Sequence, residues 1–186
     1  MAFTSQGEAH YNAGQHQQVA QVLGLLLTSA GQYQKVTGYD RGLYFLGLGN
    51  YQLDRAAEKA GTKPDEKATL ASLRALAAPA MKESSLWADA TWLLARILHR
   101  RSEWQQANKH YSDLITAKAP QAADSSYYRA ISLFESSSSA GAGGAALLSN
   151  AATEFAAFLK VYPRHKFAAR AVYYEGISLF NGGSYS

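Results

Sequence analysis

One pattern constrains this chain more than any other. A small residue sits in an apolar helical run, a large apolar residue follows three positions later, and a Gly-x-aromatic turn closes the unit. The last copy runs from Val172-Tyr173-Tyr174-Glu175-Gly176-Ile177-Ser178-Leu179 to the turn at Gly183-Ser184-Tyr185. The small residue lets a neighbouring helix approach, the large one fills the space beside it, and the turn sends the chain back. Equivalent small residues stand at Gly7, Gly47, Ala95, Ala130 and Gly176, at intervals of roughly 35 to 48 residues. Such repetition predicts an all-α solenoid rather than a fold closed around a catalytic pocket.

The composition agrees with helices. Of 186 residues, 47% are hydrophobic and only 17% charged, which is the balance of a folded chain. Alanine, leucine, glutamine and tyrosine are abundant, and β-branched residues are sparse. The net charge of +4 is mildly basic, but lysine and arginine are not gathered on a long stripe as nucleic-acid binding favours. The densest group is Arg96, His99, Arg100 and Arg101, with Arg164, His165 and Lys166 far behind it. Cysteine is absent, which excludes disulfides, thiol catalysis and cysteine-based zinc sites. The longest nearly apolar stretches, 19–27 and 43–49, are too short to cross a bilayer. Met1-Ala2-Phe3 opens no secretory leader, so the expectation is a cytoplasmic protein or a chain whose targeting segment has been removed.

Periodicity and breakers predict four hairpins and half of a fifth. The first runs from Thr4 to Ala13, turns at Gly14-Gln15-His16, and returns from Gln17 to Ser29, with Gly31 ending it. The second starts at Asp40 as N-cap and reaches Lys59. It returns over 65–77 with Pro64 at the helix start. In the third, Ser84 or Ser85 caps a helix through Trp87, Trp92 and Leu98, and Gln105 to Lys118 returns before Pro120. The fourth runs from Asp124 to Glu135 and returns from Ala145 to Val161. Its Ser/Gly-rich segment 136–144 reads as a flexible loop. The fifth begins near His165 and supplies a first helix alone, as a fragment of a longer array would.

At this point the residues resemble a tetratricopeptide repeat array. Trp92-Leu93-Leu94-Ala95, then Leu98, Trp104, Ala107, Tyr111, Leu114 and Pro120, follow that family's pattern, as do Ala151, Phe155, Phe158 and Pro163. The family period is about 34 residues. The join Phe158-Leu159-Lys160-Val161-Tyr162-Pro163, continuing into 168–174, is similar to bacterial envelope members, the outer-membrane assembly lipoproteins and Tol-Pal-associated coordinators. The resemblance implies a right-handed α-solenoid of about four and a half hairpins. It also implies a periplasmic or outer-membrane setting, with the cytoplasm as the other possibility.

The resemblance further implies that the first helix of each hairpin lines a concave wall. On those helices a polar or aromatic residue is followed seven positions later by a ring, nearly two turns on. The pairs are Thr4 and Tyr11, Tyr44 and Tyr51, Trp92 and His99, Tyr127 and Phe134, and Tyr173 and Phe180, with Arg41, Arg96, Arg100 and Arg170 among them. Aromatic and arginine side chains dominate interface energetics. Rings at this spacing serve either as packing between hairpins or as a groove for a peptide or helix, and both readings stand here.

Catalytic patterns are not found. The five histidines are dispersed, with no His-Glu-x-x-His. Gly47-Leu48-Gly49 lacks the third glycine of a dinucleotide site, Gly141-Ala142-Gly143-Gly144 lacks a phosphate-loop ending, and no serine sits in a nucleophile elbow. The expectation is a non-enzymatic protein-interaction scaffold, without metal or cofactor, that binds a protein or peptide partner in envelope assembly. Two alternatives are an accessory solenoid of a larger envelope enzyme and an RNA-binding helical repeat.

Overall fold

The computed structural model describes residues 2–183, and every regular element among them is helical. None of these helices is long and apolar enough to cross a membrane. The chain divides into two compact units, one up to Thr91 and one from Trp92.

In the first unit, α1 (Ala2–Asn12) turns at Gly14, whose φ of 71° needs no Cβ, into α2 (His16–Leu23). Short segments α3 (Leu25–Thr28) and α4 (Ala30–Tyr33) lead to the long α5 (Tyr39–Lys59), and α6 (Lys67–Leu76) returns. A 3-10 turn follows at Pro79–Met81. Helix α5 packs on α1, α2 and α6. It can do so because its glycines meet large residues directly. Built Cβ atoms would lie 2.5 Å from Leu26 at Gly42, 2.9 Å from Leu73 at Gly47 and 2.8 Å from Val19 at Gly49. Leu23, Leu43, Leu46, Leu73 and Leu76 are fully buried around these approaches.

The return of the first hairpin is broken rather than continuous. It interrupts at Gly24, a weak helix former, and Gly31 lies within α4 instead of ending the segment. Asp40 is not the N-cap of α5. Gly38 holds that place with φ 86°, while the Asp40 carboxylate accepts the Arg41 N–H at 2.8 Å and the Ser84 hydroxyl at 2.6 Å. Pro64 does not open α6 either. Asp54 on α5 accepts the Glu66 N–H at 3.2 Å and the Thr69 hydroxyl, which anchors the start of α6 three residues later. Sequence reading missed Asp54 because its partners are 12 and 15 residues away.

The second unit takes in most of α7 (Trp87–Arg100), then α8 (Trp104–Thr116), α9 (Ala122–Ser137), α10 (Gly144–Val161) and α11 (Ala168–Asn181). Successive helices pack α8 on α9, α9 on α10 and α10 on α11. Ala95, Ala107, Ala130, Ala151 and Ala171 are fully buried and keep the helices close, while Tyr111, Phe155 and Phe158 fill between them. Before α7, the Ser84 hydroxyl accepts the Leu86 N–H at 3.2 Å, so Ser84 rather than Ser85 takes up a free donor there. Segment 136–144 is the end of α9, a short turn, the 3-10 helix Gly141–Gly143 and the first residue of α10. Ser136 to Ser139 each donate a hydroxyl to the carbonyl three residues back, at 2.6–3.0 Å. Composition alone misses this, since serine serves a helix end as readily as a linker. The turn residue Tyr185 lies outside the described residues.

Candidate functional site

The rings expected on one wall divide between surface and core. In the first unit Tyr11, Tyr44 and Tyr51 are half-buried. Tyr11 lies 5.5 Å from Phe45 on the neighbouring helix, and Tyr44 lies 6.0 Å from Phe45. Burial, with Asp89 and Tyr11 nearby, raises the Tyr44 pKa, so its hydroxyl stays protonated and able to donate. Arg41 pairs with Glu8 at 2.6 Å. A concavity of about 380 Å³ is lined by Asp40, Arg41, Tyr44, Phe45, Ser85 and Leu86.

The second unit holds the denser arrangement. Trp92, Arg96 and Arg100 follow one another at four-residue steps along α7. The Arg96 guanidinium lies 3.6 Å over the Tyr128 ring and 5.8 Å from Trp92. Its Nη1 is buried and has no hydrogen-bond partner among the described residues, so the cation is held chiefly by the two rings. Tyr128 was not among the residues singled out from sequence. It is the second tyrosine of a doublet, one position off the seven-residue register, and it carries the stacking. Its neighbour Tyr127 is 4% exposed, stacked 4.4 Å from Phe167 in the α9–α10 core. Burial pushes the Tyr127 hydroxyl up to about 12. Phe134 packs edge-on to Tyr174 at 5.1 Å, half-buried. Arg100 and Arg170 are exposed, as are Tyr173 and Phe180.

His99 is likewise core, 8% exposed, among Trp104, Tyr111 and Tyr128. Its Nδ1 lies 2.9 Å from the Ser132 hydroxyl and its Nε2 3.0 Å from Glu135. Burial and the neighbouring Arg96 lower its pKa from 6.5 to about 4. At neutral pH the ring is therefore uncharged, with Nε2 facing Glu135 and Nδ1 facing the Ser132 hydroxyl, which itself donates to the Tyr128 carbonyl at 2.9 Å. Because Ser132 is fully buried, this serine–histidine–carboxylate row has no nucleophile a substrate can reach. It ties α7 to α9.

A pH dependence follows. The unfolded chain protonates this histidine near 6.5 and the folded one near 4, so the stability is complete above 6.5 and drains away as pH falls toward 4. Between pH 7 and 5 the loss is about 2 kcal/mol. Glu135, whose pKa burial raises, works in the opposite direction and favours acid. Urea unfolding of wild type and His99→Phe at both pH values checks this. The wild type is expected to lose more than the variant by that amount, and equal losses would contradict it.

What the second unit offers chemically is a donor-rich cation between aromatic faces, suited to carbonyl, carboxylate or ring groups of a partner. No protein-family model matches the chain, and no curated protein shows significant sequence similarity to it.

Proposed function

We propose that the chain is a protein-interaction scaffold, a right-handed α-solenoid of tetratricopeptide-like hairpins. Each unit presents rings and arginines from its first helices to a protein or peptide partner. The observation that carries this reading is Arg96 held 3.6 Å over Tyr128 beside the half-buried Trp92. Such a preorganised cation and its rings lose little freedom on binding, which limits the ordering cost. The hairpin pattern, with buried small residues at Gly7, Gly47, Ala95 and Ala130, supports the repeat architecture. An envelope setting rests on the Tyr162-Pro163 join alone.

The experiment is affinity capture with the intact protein, followed by affinity measurement on the recovered partner. Trp92→Ala combined with Arg100→Glu is expected to weaken binding at least about tenfold, the scale of an interface hot spot, with helicity unchanged. Unchanged affinity would refute the reading. Binding that collapses steeply with added salt would instead favour nucleic acid as the partner.

A further inference from the structure

The small residues of the first helices receive a particular filler. A Cβ at Gly7 would lie 2.5 Å from Leu23 of α2, and one at Gly47 would lie 2.9 Å from Leu73 of α6. The alanines take rings. Tyr111 of α8 places its hydroxyl 3.4 Å from the Ala95 carbonyl, and Phe155 of α10 shares a buried cluster with Ala130. At these two glycine notches the filler is a leucine, and at the two alanine notches an aromatic ring.

The fifth notch is open. Among the described residues, nothing lies within 4 Å of a Cβ built at Gly176 on α11. At 100° per residue, Ala169, Val172, Tyr173, Gly176 and Leu179 share one face with no charge on it. Val172 is 59% exposed and Tyr173 63%. The opposite face, with Ala171, Tyr174 and Ser178, is the one packed on α9 and α10.

Charge narrows the occupant. In the α9–α10 hairpin, Arg129 directly precedes the notch and pairs with Glu154, which directly precedes the filler Phe155. Glu175 holds the place of Arg129 on α11 and makes no ion pair among the described residues. The complementary residue before the filler is therefore a base. We infer that this face of α11 docks an amphipathic helix, antiparallel to α11, that sets a leucine over Gly176 and a lysine or arginine beside Glu175. A second copy of α11 fits less well, since Ser178 precedes its own Leu179. The inference stands independently of the ring-and-arginine surface.

A tethered helix tests it. Residues 65–78, which carry Leu73, are appended to the full chain through a flexible linker of about ten residues, giving a high effective concentration. The urea midpoint is expected to rise, and to rise further when Ser72→Lys is placed in the appended copy. Leu73→Asp in that copy removes the whole rise, as does Gly176→Leu in α11 when compared with the same variant lacking the appended helix, whereas Glu175→Gln removes only the lysine increment. No rise, or a rise that survives Leu73→Asp, overturns the inference. So does a dimer of the unmodified chain on sedimentation that Gly176→Leu dissociates, because the occupant is then a second copy.

Discussion

Tyr111→Ala is expected to lower the unfolding free energy by about 3–5 kcal/mol, the range for deleting a buried aromatic ring. The ring is fully buried, stacked 6.1 Å from Tyr128 and set 5.9 Å from Trp92 and 6.2 Å from His99. Alanine leaves a void between α7, α8 and α9 that rigid helices close only in part. Tyr111→Phe separates the ring from the hydroxyl. Burial raises the hydroxyl's pKa far above its ordinary value, so it is neutral, and its bond to Ala95 is long at 3.4 Å. Losing it should cost about 1 kcal/mol. Urea midpoints of the two variants measure the split. A comparable loss for Phe and Ala would mean that the hydroxyl, not the packing, holds these helices.

The second large effect is a contrast of sign between two glycines of one pattern. At Gly47 an added Cβ would lie 2.9 Å from Leu73 Cδ2 and 3.2 Å from its Cγ, so Gly47→Leu must push α6 from α5. Overpacking of this kind costs about 1–3 kcal/mol, even after the gain in helix propensity. Gly176→Leu meets no neighbour among the described residues and keeps only the propensity gain, stabilising by about 0.5–1 kcal/mol. Thermal midpoints of the two variants should therefore move in opposite directions. Two shifts of the same sign would mean that Gly47 is not a point of helix contact.

These residues also show what a linear reading can reach. Small-residue spacing located the helix pairs because close approach leaves a local mark, a glycine or alanine inside an apolar run. Helix ends set by distant groups left none. Asp54 anchors α6, and Asp40 turns from an expected cap into an acceptor for Ser84, 44 residues on. The candidate site was legible in its residue types and half legible in its faces. A seven-residue step drifts by about 20° from two full turns. Trp92 stays half-exposed while His99 sinks into the core, and within the doublet Tyr128 rather than Tyr127 meets Arg96. Which side of a helix is covered depends on its neighbours, and their placement is not written in any short window.

The central claim is that the first helices meet the partner. A photo-cross-linking residue placed at Arg100 on α7 or at Lys109 on α8, both exposed, tests it in the intact protein bound to its captured partner. Cross-links from position 100 and none from position 109 are the expected result. Cross-links confined to position 109, or equal from both, would contradict it.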